Sequence, residues 1–196
     1  MKNSKLIMLT FLSVFLVFLS SCKEDPEEEV SPYIGDYTIV KATLTENLTL
    51  MTNEIGAMTL VKGLEITEMI QTALLGAVDC EPENSLIELR EDFSLYISCS
   101  GSMEELNGGT WEEQSVTVVV LNMNSTAIPA SSTGIVITVS DVTLVGGILS
   151  GETTVPISRD MLVDVLAGMS GGQLTLDMEA TPVAVPISFE IELEKQ

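Results

Sequence analysis

Near the end of the chain Val185, Ile187, Phe189, Ile191 and Leu193 alternate with Ser188, Glu190, Glu192 and Glu194. A period of two puts the apolar side chains on one face and the acids on the other, as a β-strand does and a helix cannot. Such a strand needs a sheet with one buried face. The same demand recurs upstream. Residues 37–44 are rich in β-branched and aromatic side chains. Residues 85–90 and 93–99 flank a tight Glu91-Asp92 turn and predict a hairpin. In its second arm Phe93, Leu95, Ile97 and Cys99 share the apolar face, while Ser94, Tyr96 and Ser98 share the other. Residues 110–121, 135–144, 148–157 and 174–178 add strands, with a turn at Gly146-Gly147. Pro186 has no N–H for a ladder, so its end of the last strand is expected at an edge or bulge.

Two segments change period. Ile66, Met69, Ile70, Ala73, Leu74 and Ala77 recur at helical spacing and predict an amphipathic helix over 64–78. Ser158 can cap a second helix over 159–167, with Met161, Leu162, Val165 and Leu166 as its stripe and Gly168 as its end. Residues 45–61 are ambiguous. Leu48, Leu50, Leu60 and Val61 suit strands, and Asn53 and Gly56 suit turns. Residues 101–109 and 122–134 read as loops. Eight or nine strands with two short helices predict a mostly β fold, an antiparallel barrel or sandwich. Val155-Pro156-Ile157-Ser158 recurs as Val185-Pro186-Ile187-Ser188, too short a match to argue a repeat.

The chain opens differently. Lys2 and Lys5 precede residues 6–19, which are apolar apart from Thr10 and Ser13; Ser20, Ser21 and Cys22 follow. A basic head, an apolar middle and small residues at the processing point make a secretory signal. Residues 1–21 are therefore expected to be a signal peptide, and the apolar run is too short to span a bilayer, which takes about 20 apolar residues. Residues 23–32 are charged, carry Pro26 and Pro32 and show no apolar period, so with Cys22 they form a tether, 22–32. The folded domain is expected over 33–196. In an exported chain Cys80 and Cys99 form an even pair, and a disulfide between them is the expectation. Two free thiols acting as ligands or nucleophiles are the alternative.

Leu19-Ser20-Ser21-Cys22 resembles the lipobox of bacterial lipoproteins, and Lys23-Glu24-Asp25-Pro26-Glu27-Glu28-Glu29 resembles the export tag on surface-exposed lipoproteins of the Bacteroidota. The resemblance implies that Cys22 is fatty-acylated and becomes the first mature residue. It further implies that acyl chains anchor the protein to the outer membrane, with the domain exposed at the cell surface. Gly35-Asp36-Tyr37 resembles the Gly-x-Trp that opens lipocalins and calycins, with Tyr for Trp. The hairpin 85–99 followed by Gly109-Thr110-Trp111 is similar to the middle of lipocalin-like lipoprotein domains. That resemblance implies a lipocalin-like barrel.

Charge excludes one class of partner. From Cys22 onward only Lys23, Lys41, Lys62, Arg90, Arg159 and Lys195 are basic, whereas the chain holds 29 acids. A nucleic-acid binder needs a cationic footprint to displace phosphate counterions, so nucleic acid is not an expected partner. The acidity reads first as solubility at a crowded surface, and otherwise as attraction for Ca²⁺ or a basic partner.

The supply of catalytic groups is small. Histidine is absent, which removes Ser-His-Asp and Cys-His catalysis and most catalytic zinc sites. Gly168-Met169-Ser170-Gly171-Gly172 matches Gly-x-Ser-x-Gly, but a nucleophile elbow needs a strand before it and a helix after it. Here a helix precedes, and a helix end with a turn explains the glycines. The acid pairs Glu81/Glu83, Glu91/Asp92, Glu104/Glu105 and Glu112/Glu113 would serve a glycan-acting hydrolase only across a cleft. Asp-x-Asp spacing for calcium is missing. No metal or cofactor is expected.

Among the aromatic residues Phe93 and Phe189 alternate with core positions. Tyr96, on the polar face, and Trp111 remain as candidate ligand contacts. The eight methionines after Cys22 suit an adaptable apolar pocket or ordinary core filling. The expectation is a non-catalytic binding or accessory domain, with a small apolar ligand in the barrel. The alternatives are a structural or protein-interaction lipoprotein with a filled core, and a glycan-acting hydrolase.

Overall fold

A computed structural model describes residues 30–75, 80–125 and 134–196. The expected signal segment, Cys22 and the expected tether up to residue 29 lie outside the described residues. The described strands are β1 (Gly35–Leu44), β2 (Leu48–Thr52), β3 (Gly56–Leu60), β4 (Ser85–Leu89), β5 (Ser94–Cys99), β6 (Glu105–Ser115), β7 (Val118–Met123), β8 (Ile135–Val145), β9 (Ile148–Ser158) and β10 (Ala184–Lys195). Helix α1 (Thr67–Leu75) lies between β3 and β4, and α2 (Arg159–Ser170) between β9 and β10. Eight strands close an antiparallel barrel in the order β1-β10-β9-β8-β7-β6-β5-β4, and β2 and β3 form a separate two-stranded sheet. The fold is thus the mostly β barrel with two short helices that the alternation predicts. Closure leaves the strands no free outer edge, except where a seam runs short.

One seam does run short. β1 pairs with β4 only from Gly35 to Tyr37, opposite Leu89 to Ile87. Beyond that point α1 lies along β1 and takes over its edge. The Gln71 side-chain amide donates to the Ile39 carbonyl at 2.9 Å, and the Ala42 N–H donates to the Thr67 hydroxyl at 3.0 Å. A buried strand edge must find partners for its peptide groups, and two helix side chains supply them here.

The barrel has a near end, where the chain enters, and a far end. At the near end the Tyr33 hydroxyl donates to the Val116 carbonyl at 2.6 Å and the Tyr37 hydroxyl to the Tyr33 carbonyl at 2.9 Å. Lys195 Nζ donates to the Ile34 carbonyl at 2.6 Å. At the far end the β2–β3 hairpin, α1, α2 and the segment after α2 form a cover. Thr52 bridges Leu176, the Asn53 N–H donates to the Thr175 carbonyl at 3.0 Å, and the Asp177 N–H to the Met51 carbonyl at 2.8 Å. Glu54 takes both the Thr175 N–H and its hydroxyl, at 2.8 and 2.7 Å, and these bonds hold its carboxyl below the usual value.

Between the ends the barrel is filled. Tyr37, Leu95, Ile97, Val155 and Phe189 are 0 % exposed, and Ile39, Trp111 and Ile187 1 %. Exposure that low leaves no gap beside these side chains wide enough for water. At two inward positions even a methyl group has no room. A Cβ at Gly151 would lie 2.6 Å from Val139 Cγ1 and 2.8 Å from the Ser140 carbonyl, and one at Gly108 would collide with the Leu95 side chain. An eight-stranded barrel is about the size that side chains alone can fill. Leu50, Leu60, Ile66, Leu162, Leu166 and Leu176 of the cover belong to the same hydrophobic cluster.

Several boundaries depart from expectation. Phe93 is not a strand residue: it sits in the β4–β5 turn with φ 62° and is 52 % exposed. Residues 116–117 make a turn between β6 and β7 where one strand was expected, and β6 begins at Glu105, inside the expected loop. Val61 is exposed rather than on a strand. α2 runs past Gly168 to Ser170, and Gly171 and Gly172, with φ 61° and 77°, end it. Residues 174–178 form no strand; Leu176 makes one bridge and the rest is strap. The first helix begins at Thr67, and residues 76–79, with Ala77, lie outside the described residues, as do 126–133 of the long loop. Pro186 faces Pro156 on β9. β1 joins β10 only from Phe189 onward, so the other side of Pro186 is an open edge, as its missing N–H requires. The two Val-Pro-Ile-Ser segments thus pair with each other.

Candidate functional site

The disulfide is present. Cys80 and Cys99 are bonded, with Cα atoms 5.9 Å apart and a sequence separation of 19. It ties the segment after α1 to the end of β5, close to the seam that α1 closes. Cys22, the expected lipidation site, lies outside the described residues.

Tyr96 and Trp111 meet through a third residue. Arg90, just past β4, places its guanidinium carbon 3.9 Å from the Tyr96 ring centre and accepts the Trp111 indole N–H on its carbonyl at 2.9 Å. The guanidinium also binds Glu88 at 2.6 Å and Glu105 at 2.7 Å. Burial works to raise the Glu88 carboxyl, but the Ser98 hydroxyl at 2.5 Å and Arg90 outweigh it and hold the group below its ordinary value. This is a clasp across β4, β5 and β6. Trp111 is 1 % exposed and Phe93 stacks 5.4 Å from it, so the expectation of Trp111 as a ligand contact is corrected: its ring is core. Tyr96 is half-buried with Arg90 over its ring, which takes the face a flat ligand would use.

Ser170 of the Gly-x-Ser-x-Gly match closes a helix end. Its hydroxyl donates to the Leu166 carbonyl at 2.7 Å and accepts the Leu174 N–H at 3.1 Å. The acid pairs are scattered: Glu105 binds Arg90, Glu113 accepts the Ser31 hydroxyl at 2.7 Å, and Asp92 caps Ser94. Among the described residues no group of three or more His, Cys, Asp or Glu side chains converges as metal ligands. No helix among them is long and apolar enough to cross a membrane.

Two surface depressions stand out on the described surface. One is polar, about 420 Å³, on the outer face of β8, β9 and β10, where Glu46 and Glu152 sit among Thr45, Thr138, Thr154 and Ser188. Its hydroxyls are partly used on each other, Thr154 to Ser188 at 2.8 Å. The other is a cleft of about 490 Å³ between α1 and α2. Leu60, Ile66, Met69, Met161 and Val165 form its apolar lining, and Glu65, Glu68 and Asp164 its acidic rim. It lies on the cover, at the far end from Ser31.

The cleft was hidden in the helical stripes. The helical spacing puts Met161, Leu162, Val165 and Leu166 on one stripe. The structure buries Leu162 and Leu166, each 1 % exposed, and leaves Met161 and Val165 partly exposed one step round the helix. The stripe is wider than one contact needs, and that excess width was the available signal. Comparison with known protein families, with curated proteins and with solved structures finds no match for this chain.

Proposed function

We propose that this chain is a lipid-anchored cell-envelope protein whose β domain is a non-catalytic protein-interaction module, its filled barrel acting as the scaffold. The carrying observation is the barrel's middle: side chains with no exposed surface occupy the space where a cup-like binding protein holds its ligand. That favours the filled-core alternative over an apolar ligand inside the barrel. The Cys80–Cys99 bond fits a chain that leaves the reducing cytosol. The basic head, apolar run and Ser-Ser-Cys22 support export and acylation. Several acyl chains together hold stably to a membrane.

Two measurements test the reading. Metabolic labelling with a clickable fatty acid is expected to mark the wild-type chain and not Cys22→Ala. Photo-cross-linkers placed one at a time around the far end of the domain, on intact cells, are expected to trap discrete protein adducts. Label retained by Cys22→Ala would remove the anchor, and no adduct from any position would remove the interaction role.

A further inference from the structure

We infer that the α1–α2 cleft receives a short amphipathic helix of a partner protein, two or three apolar residues flanked by Lys or Arg. The inference rests on the interaction reading above and names where and with what it acts.

Shape comes first. The cleft is bounded by two helices, α1 of nine residues and α2 of 12. At about 1.5 Å per residue they run roughly 13 and 18 Å, the length of about three turns of a third helix. A groove between two helices takes an amphipathic segment by its apolar anchors at i, i+3 or i+4, and i+7. Met69 and Met161 sit on opposite walls, and flexible thioethers adapt to anchors of differing shape.

Charge selects the partner. Glu65, Glu68 and Asp164 rim the cleft, and among the described residues no cation lines it. Thr67 steadies Glu65 through a 3.0 Å hydrogen bond. Lys41 reaches Glu65 electrostatically, but its ammonium is bound to Glu192 at 2.7 Å. A neutral or acidic helix would leave three carboxylates facing its apolar flank or its own charges. A basic one pairs them and is steered in by the acidic surface. Of the domain's other cations, Arg90 is bound to Glu88 and Glu105, Arg159 to the Met178 carbonyl and Lys195 to the Ile34 carbonyl, while Lys62 is exposed and is not among the residues lining the cleft.

The test uses residues 22–196 with Cys22→Ser, since the core residues among the described ones all lie between Tyr33 and Leu193. A labelled Leu/Lys amphipathic helical peptide, its Leu/Glu counterpart and a scrambled Leu/Lys peptide are titrated by fluorescence anisotropy. The ordered basic peptide is expected to bind, and the other two are not. Glu68→Lys with Asp164→Lys is expected to weaken binding by about tenfold or more. Reversing two exposed acids at the near end, Glu91→Lys with Glu112→Lys, is expected to change it less than about twofold, as for screened surface charges. Equal losses from both reversals, or equal binding of the scrambled peptide, would mean charge attraction alone and would overturn the cleft assignment. Failure of the basic peptide with binding of a small amphiphilic amine would overturn it in favour of a small ligand. If the far-end reversal leaves the cellular cross-links unchanged, the cleft inference fails while the interaction reading stands. Loss of cross-links from every position in the wild type would fail both.

Discussion

The Gln71 side chain donates its amide to the Ile39 carbonyl, 32 positions earlier, and closes the barrel where β4 no longer reaches. Gln71 is 8 % exposed and the bond is buried, so removing the amide leaves that carbonyl without its partner away from bulk water. Gln71→Leu is expected to lower stability by about 1–3 kcal/mol, the cost of a buried unpaired group. Urea unfolding measures it. A loss under about 0.5 kcal/mol would mean that water replaces the amide and that the seam is open.

The filled interior predicts intolerance of added bulk as well as of lost bulk. Gly151→Ala places a methyl against Val139 and the Ser140 carbonyl, and is expected to cost about 1–3 kcal/mol. Phe189→Ala is expected to cost about 3–5 kcal/mol by leaving a cavity. A neutral Gly151→Ala would reveal slack that the burial of its neighbours denies.

Most of this barrel was legible because alternation is a local signal. β10 reads directly from Val185 to Glu194, and β8 and β9 from their flanking Gly146-Gly147. What the sequence could not announce is where a strand turns. The exposed Val116 between β6 and β7 looks like strand by composition, since β-branching marks strands and tolerated turns alike. Phe93 looked like core, but a positive φ took it out of the strand and laid it over Trp111. Tyr96 and Trp111 are joined by Arg90, whose two roles depend on its guanidinium and its carbonyl. No spacing rule encodes that. The cleft depends on how two helices lean on the cover, a tertiary fact.

The Cys80–Cys99 bond joins the cover to the wall. Its loss in Cys80→Ser or Cys99→Ser is expected to cost about 3 kcal/mol in the chain-entropy account. Because the bond lies beside the short seam, proteolysis under reducing conditions is expected to cut first near residues 76–84. Cleavage beginning in the β8–β9 region instead would separate the bond from the seam's stability.

Alkaline pH tests the near end. Burial, with Tyr33 adding to it, pushes the Tyr37 phenol up to about 12. A pKa raised on folding means that the native state holds the proton more tightly. The stabilisation is therefore complete below the unfolded value near 10 and is lost as pH rises from there toward 12. Absorbance at 295 nm is expected to show a late-ionising tyrosine that disappears in Tyr37→Phe. Ionisation of every tyrosine together near pH 10, with the fold intact, would contradict the packing of the hydroxyl against Tyr33.

The most direct test of the account is native mass spectrometry of residues 22–196 carrying Cys22→Ser, purified gently, followed by solvent extraction. A filled barrel predicts the bare mass of the chain and nothing more. A stoichiometric small apolar molecule that survives purification, and that Phe189→Trp displaces, would put a ligand inside the barrel and contradict the claim that its own side chains fill it.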